Sequence, residues 1–308
     1  MSLHLAPNTL SRESESIFFI QRNGLRLHAA HYYPTSSFSD SSVSFQRPLI
    51  CLPGLTRNTK DFDALAQTLS SGHKPRHVYA LDSRGRGLSE HDPDWRNYNV
   101  ITEMQDVIDF IFTYGLEKSA ILGTSRGGLI AMFLAAAQPS ILGPILLNDI
   151  GPIIDIEGLS RIALYVGRTP LPHSWSDAAN LIKKIHMKSF PALPETEWAG
   201  IAKQLFNENN GRPSPAYDAN LSYVISEMNK DPPPKLWDQF EALKPFPLMV
   251  MRGSHSDILS QETVAEMRLR HPNMIDIIVE GQGHAPWLRD KETITEIRHF
   301  LETTDRFS

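Results

Sequence analysis

From residue 48 onward, short apolar runs alternate with stretches of helical length, and this rhythm limits the chain to very few architectures. Residues 48–52, 77–81, 120–122 and 144–147 are compact apolar runs of the kind that form buried strands. Between them, residues 61–71, 100–114 and 127–137 carry helical patterns. Strands alternating with helices of this length predict βαβ units and a mostly parallel α/β sheet with helices packed on it. Ahead of this series, residues 17–21 and 25–33 read as two strands around Arg22-Asn23-Gly24, a hairpin signal because Asn and Gly both tolerate positive φ. A polar arm, residues 1–16, precedes the hairpin, and a serine-rich loop, residues 35–44, follows it.

The rhythm stops after Asp149. Over the next stretch helical patterns are punctuated by prolines at 170, 172, 191, 194, 213, 215 and 232–234, and no strand is expected. It resumes with a strand at 247–251, a helix at 261–270, a strand at 274–279 and a helix at 292–302. The expected organisation is one α/β core, residues 17–151 and 239–308, interrupted by a helical insertion at 152–238. The composition, 41% hydrophobic and 21% charged, is that of an ordinary globular protein. A net charge of −5 lacks the basic footprint of a nucleic-acid binder. The single cysteine, Cys51, excludes an intrachain disulfide. The first residues have neither the basic start nor the apolar run of a signal peptide, and the longest apolar stretch, 129–137, is about half of what a membrane span needs. The expectation is a cytoplasmic protein acting on a small molecule, without nucleic-acid or membrane partners; oligomeric state is not readable.

Gly123-Thr124-Ser125-Arg126-Gly127 fits G-x-S-x-G and lies between an expected strand and an expected helix. That is the setting of a nucleophile elbow, a tight turn that lifts a serine Oγ clear of the sheet. A serine needs a base, and the base needs an orienting group. His284 follows the last expected strand, and Asp257 follows the strand at 247–251. Both therefore fall at carboxyl ends of strands, where open α/β sheets place their ligands. The order Ser125, Asp257, His284 agrees with this class of triad. Asp149, after the strand at 144–147, is the competing acid, and Asp257 is preferred. His73 and His77 are separated by Pro75, which opposes one helical face and any metal site there.

With these residues in place, the chain resembles the α/β-hydrolase superfamily, in its serine-nucleophile branch with a helical cap, over about residues 17–303. The resemblance implies that Leu52-Pro53-Gly54-Leu55-Thr56 is the oxyanion loop, with the backbone N–H groups of Leu55 and Arg126 as donors. It implies a mainly structural role for the loop from Asp82 to Ser89. The implied reaction is acyl transfer to water through Ser125, His284 and Asp257, requiring no metal and no organic cofactor. Arg57, Trp175 and Trp287 are candidates to line the substrate pocket. The aromatic residues Tyr165, Trp175, Phe190, Trp198, Phe206 and Trp237 of the insertion are read mainly as the packing of its own helices. A small ester or lactone is the expected substrate. A thioesterase, a C–C bond hydrolase, a cofactor-free perhydrolase and a weakly catalytic ligand receptor are the alternatives on the same fold.

Overall fold

A computed structural model describes residues 14–21, 23–35, 46–72, 74–168, 170–228 and 230–305. The arm before residue 14, most of the serine-rich loop and His73 lie outside the described residues. The strands are β1 (Glu15–Ile20), β2 (Arg26–Tyr32), β3 (Gln46–Leu52), β4 (Arg76–Asp82), β5 (Ala120–Thr124), β6 (Ile145–Asn148), β7 (Phe206–Asn209), β8 (Arg212–Pro215), β9 (Leu248–Gly253) and β10 (Ile275–Val279). The helices are α1 (Asp63–Leu69), α2 (Val100–Tyr114), α3 (Arg126–Ala137), α4 (Ile156–Ala163), α5 (Trp175–His186), α6 (Trp198–Leu205), α7 (Leu221–Met228), α8 (Trp237–Glu241), α9 (Gln261–Arg270) and α10 (Lys291–Asp305).

Eight strands form one sheet in the order β1-β2-β4-β3-β5-β6-β9-β10. The first two pairings, β1 with β2 and β2 with β4, are antiparallel, and the remaining pairings are parallel. Both faces are covered, which is why the central strands read as unbroken apolar runs. In β3, Ile50 and Leu52 enter one core while Leu49 and Cys51 enter the other. The two-residue period of a strand sends neighbours to opposite faces, and β9 repeats it, with Leu248 and Val250 against Met249 and Met251. Helices α2, α3 and α9 cover the first face, and α1 and α10 cover the second.

Local signals fix the helix ends. Asn99 caps α2 by accepting from the Thr102 N–H, and Gly115 closes it at φ 62° in the left-handed region. Ser260 caps α9 in the same way through the Thr263 N–H.

Between β6 and β9 the chain runs through α4 to α8. Its two ends meet, since the Leu236 N–H donates to the Pro152 carbonyl at 2.8 Å. The expectation of no strand in this segment is corrected by the antiparallel pair β7–β8. Asn210 and Gly211 turn it with φ 51° and 76°, the backbone a two-residue hairpin demands. The segment builds two apolar clusters. One gathers Ala178, Ile182, Phe190, Trp198, Ile201 and Phe206 with Trp287 of the core, and the other gathers Leu159, Val166, Leu221 and Ile225 with Tyr98 of the core. Each is thus anchored by a core aromatic residue. No helix among the described residues is long and apolar enough to cross a membrane.

Candidate active site

Ser125 occupies the turn between β5 and α3 at φ 51°, ψ −112°, a conformation that L-residues rarely adopt. The glycines around it exist because backbone passes where a Cβ would stand. A Cβ on Gly123 would lie 2.4 Å from Gly127 and Gly128 backbone atoms, and one on Gly127 would lie 2.1 Å from the Leu52 carbonyl oxygen. A Cβ on Gly128, just beyond the motif, would lie 2.3 Å from the Ile150 side chain. The turn is therefore clamped between β3 and β6 with Ser125 at its apex.

His284 Nε2 lies 2.8 Å from the Ser125 Oγ, and its Nδ1 lies 2.9 Å from Asp149 Oδ2. The expected contact between Asp257 and His284 is corrected here. Asp149 is fully buried and sits at φ 57°, one residue beyond β6. Its Oδ1 accepts the Gly253 N–H at 2.8 Å, and its Oδ2 also accepts the Ser256 hydroxyl at 2.7 Å. Three donors thus hold the carboxylate in one orientation, two of them from the β9 end that neighbours β6. Asp257 is drawn the other way, toward α4. Its carboxylate binds the Arg161 guanidinium at 2.5 and 2.9 Å, and its carbonyl accepts the Gly158 N–H. Burial pushes the Asp257 carboxyl up, but the hydrogen bonds and charge of Arg161, with a smaller contribution from His284, leave it below the ordinary carboxylate range. The loop carrying His284 is tied down by Asn148, whose amide donates to the Pro286 carbonyl at 3.0 Å and to Thr124 Oγ1 at 3.1 Å.

Gly54 approaches the serine closely, since a Cβ there would lie 3.7 Å from Ser125 Cβ. Leu55 follows it. Arg126 opens α3, where helix geometry leaves N–H groups without intrahelical partners. A buried ionic network joins these two residues from below. Arg86 Nε donates to the Leu55 carbonyl at 2.8 Å, and its Nη1 meets Glu103 Oε1 at 2.8 Å. The other Glu103 oxygen accepts Arg126 Nε at 2.6 Å. Charge patterning gave no hint of this bridge, because Glu103 lies 17 and 23 residues from its two partners. The loop from Asp82 to Ser89 is also internally bonded, with Asp82 accepting the Thr59 and Leu88 N–H groups.

A pocket opens above Ser125 and His284. Ile162, Tyr165, Leu181, Ile182, Leu205 and Phe206 of the β6–β9 segment form much of its apolar wall. Of the expected lining residues, Arg57 and Trp287 face it, with the Arg57 guanidinium carbon 4.2 Å from the centre of the Trp287 ring. Trp175 does not; it packs against the first apolar cluster of the segment. Tyr165 and Phe206, read from the sequence as packing, line the pocket. His186 was not singled out by sequence, yet it too forms part of the wall. Among the described residues no group of three or more His, Cys, Asp or Glu side chains could hold a metal ion.

The fold and the elbow define a class, and the comparisons identify it: residues 49–296 match the model of the alpha/beta hydrolase family, and the chain belongs to that family. Among curated relatives, it is 32% identical over 263 residues to the 3-hydroxybutyrate-oligomer hydrolase of Cupriavidus necator, spanning 83% of this chain and 88% of that one. It is 30% identical over 248 residues to the sn-1-specific diacylglycerol lipase ABHD11 of Mus musculus, spanning 77% and 74% of the two chains. Among solved structures, an alpha/beta hydrolase from Novosphingobium aromaticivorans matches with a TM-score of 0.83 at 35% identity, covering 94% of this chain and 98% of that one. The protein is a hydrolase.

Proposed function

We propose that the protein is a serine hydrolase of small carboxylic esters, working through an acyl-enzyme on Ser125, with the 152–238 segment as a cap over the pocket. The carrying observation is the relay from Ser125 Oγ to His284 Nε2 to Asp149 at 2.8 and 2.9 Å. In this reading His284 accepts the Ser125 proton while the oxygen attacks the ester carbonyl. Asp149 holds the tautomer with the proton on Nδ1 and stabilises the imidazolium that forms. The tetrahedral oxyanion is received by the Leu55 and Arg126 N–H groups, worth several kcal/mol when donors are fixed in advance. The C–O bond then breaks, with His284 protonating the departing alcohol. Water repeats the sequence on the acyl-enzyme, releasing the acid and restoring the serine. No metal or organic cofactor takes part.

Ester cleavage is favoured over the other chemistries of the fold by two considerations. The pocket wall is mostly aliphatic and aromatic, which suits an acyl or alkoxy chain. Two relatives, moreover, carry names of ester-cleaving enzymes, a 3-hydroxybutyrate-oligomer hydrolase and a diacylglycerol lipase. The test is covalent trapping with an alkyl fluorophosphonate. Intact mass should rise by one adduct per chain, and peptide mapping should locate it on Ser125. Ser125→Ala should take no adduct and should lose ester turnover by roughly 10⁴–10⁶. Turnover by Ser125→Ala near the wild-type rate would refute the nucleophile.

A further inference from the structure

His186, at the end of α5, is 93% buried by its 7% exposure, and its ring forms part of the pocket wall. Its Nδ1 is sealed from solvent and has no hydrogen-bond partner among the described residues. No hydrogen bond in the described structure engages its Nε2 either. The ring is boxed by Tyr165, Phe190 and Trp287, at centroid distances of 5.9, 6.2 and 6.2 Å, all edge-on. Buried polar side chains in folded proteins nearly always have partners, so a mostly buried imidazole in a pocket wall, with one nitrogen sealed, the other accessible and neither matched, requires an explanation.

Its charge state narrows that explanation. Burial pushes the His186 pKa down to about 3, helped by the nearby charges of Arg57, Arg161 and His284. The ring is therefore neutral at any working pH, with one N–H donor and one lone pair. The charge of each of the two guanidinium groups that it senses is opposed by a carboxylate inside the protein, although Arg161 Nη1, like Trp287 Nε1 in the same wall, has no hydrogen-bond partner among the described residues. Arg57 gives Nε and Nη2 to Asp61, at 2.6 and 2.9 Å, and Arg161 is bound to Asp257. This end of the pocket holds unsatisfied hydrogen-bonding groups and no positive charge without an opposing carboxylate.

We propose that His186 is a specificity-determining residue that hydrogen-bonds an uncharged oxygen on the substrate's chain, so that the preferred substrates are esters bearing a hydroxyl or further ester group rather than plain alkyl or anionic esters. The inference rests on the ester-hydrolase reading above. The nitrogen that is not sealed, Nε2, is the one a substrate oxygen can meet, and that hydrogen bond gives a selectivity that a methylene cannot. A carboxylate would instead leave its own hydration without a free cation in return.

The test compares p-nitrophenyl hexanoate with its 3-hydroxy and 6-hydroxy derivatives and with mono-p-nitrophenyl adipate, all of one chain length. In the wild type, kcat/KM for at least one hydroxy ester should exceed that for hexanoate by about tenfold, the worth of one such hydrogen bond. The adipate should fall below hexanoate. His186→Phe should bring the hydroxy-to-plain ratio to about one, and His186→Gln, which retains a donor and an acceptor, should keep part of it. A wild-type ratio near one for both hydroxy esters, preference for the adipate, or a ratio unchanged in His186→Phe would overturn the proposal. If neither variant folds, the wild-type ratios decide. Ser125→Ala, assayed on the same esters, separates the two readings: its inactivity alongside a flat ratio would leave the nucleophile standing and remove only His186.

Discussion

Replacing each of the two acidic residues by its amide measures which one serves His284. In Asp149→Asn, one of three well-aligned acceptor contacts must fail. The Oδ1 position faces the Gly253 N–H, and the Oδ2 position faces both Ser256 and His284 Nδ1. If the amide oxygen keeps Gly253, the amide NH₂ confronts His284 and favours the tautomer with its proton on Nε2. That tautomer points an N–H at Ser125 and cannot accept its proton. Loss of the correct tautomer costs on the order of 10⁴ in kcat, equivalent to about 5.5 kcal/mol of transition-state stabilisation. KM should change little, because no pocket-wall atom is altered. Asp257→Asn should behave differently. It weakens a partly exposed bridge to Arg161, with 24% and 26% side-chain exposure, and such pairs contribute on the order of 1 kcal/mol. Its kcat should fall by less than about tenfold. Steady-state kinetics on a chromogenic ester, with circular dichroism to verify folding, provides the comparison. A greater loss in Asp257→Asn than in Asp149→Asn would refute the geometric assignment.

Two further substitutions probe the support beneath the serine. Glu103→Gln leaves both buried guanidinium groups, Arg86 and Arg126, without their shared carboxylate, so the melting temperature should drop by the equivalent of about 3–5 kcal/mol; the folded fraction should also lose up to about 10² in kcat as Leu55 and Arg126 drift, and an unchanged kcat would dissociate the network from the reaction. Gly127→Ala drives a methyl group to 2.1 Å from the Leu52 carbonyl oxygen, which should destabilise the protein by at least about 1–3 kcal/mol in denaturant titration; wild-type stability would mean that the turn is not clamped against β3.

The sheet was legible because both of its faces are apolar and its helices are capped by residues with local signatures, such as Asn99 and Gly115 around α2. The elbow was legible for the same reason: its glycines answer to backbone crowding that any chain making this turn must meet. The acid was not. Ser125, Asp149, His284 and Ser125, Asp257, His284 have the same chain order, so order cannot separate them, and both aspartates follow parallel strands. What separates them is the local pull of α4 on Asp257 through Arg161 and Gly158, a contact across about 100 residues that periodicity does not carry. The β7–β8 hairpin had its signal in view, since Asn210-Gly211 is the dipeptide that marked the first hairpin at Asn23-Gly24. Its four-residue strands, with Pro213 and Pro215 in the second, offered too little alternation to be seen. His186 and Glu103 stand out only once burial and partners are known.

The junction of Pro152 with Leu236 has a bearing on how such an enzyme can be re-engineered. Entry and exit of an 85-residue excursion are pinned together by one main-chain hydrogen bond, so the two ends present the spacing of a short loop to whatever replaces it. Ser125, Asp149 and His284 all lie on the sheet side of that junction, whereas Ile162, Tyr165 and His186 lie beyond it. A cassette exchanged at these two positions would carry that part of the pocket wall with it and leave the proposed reacting groups in place. The seams that need redesign are then identifiable: Arg161 and Gly158 against Asp257, the Lys203, Gln204 and Phe206 carbonyls against Lys60 and Asn58, Ala216 and Asp218 against Gly87 and Gly85, and the sockets that the excursion builds around Trp287 and Tyr98.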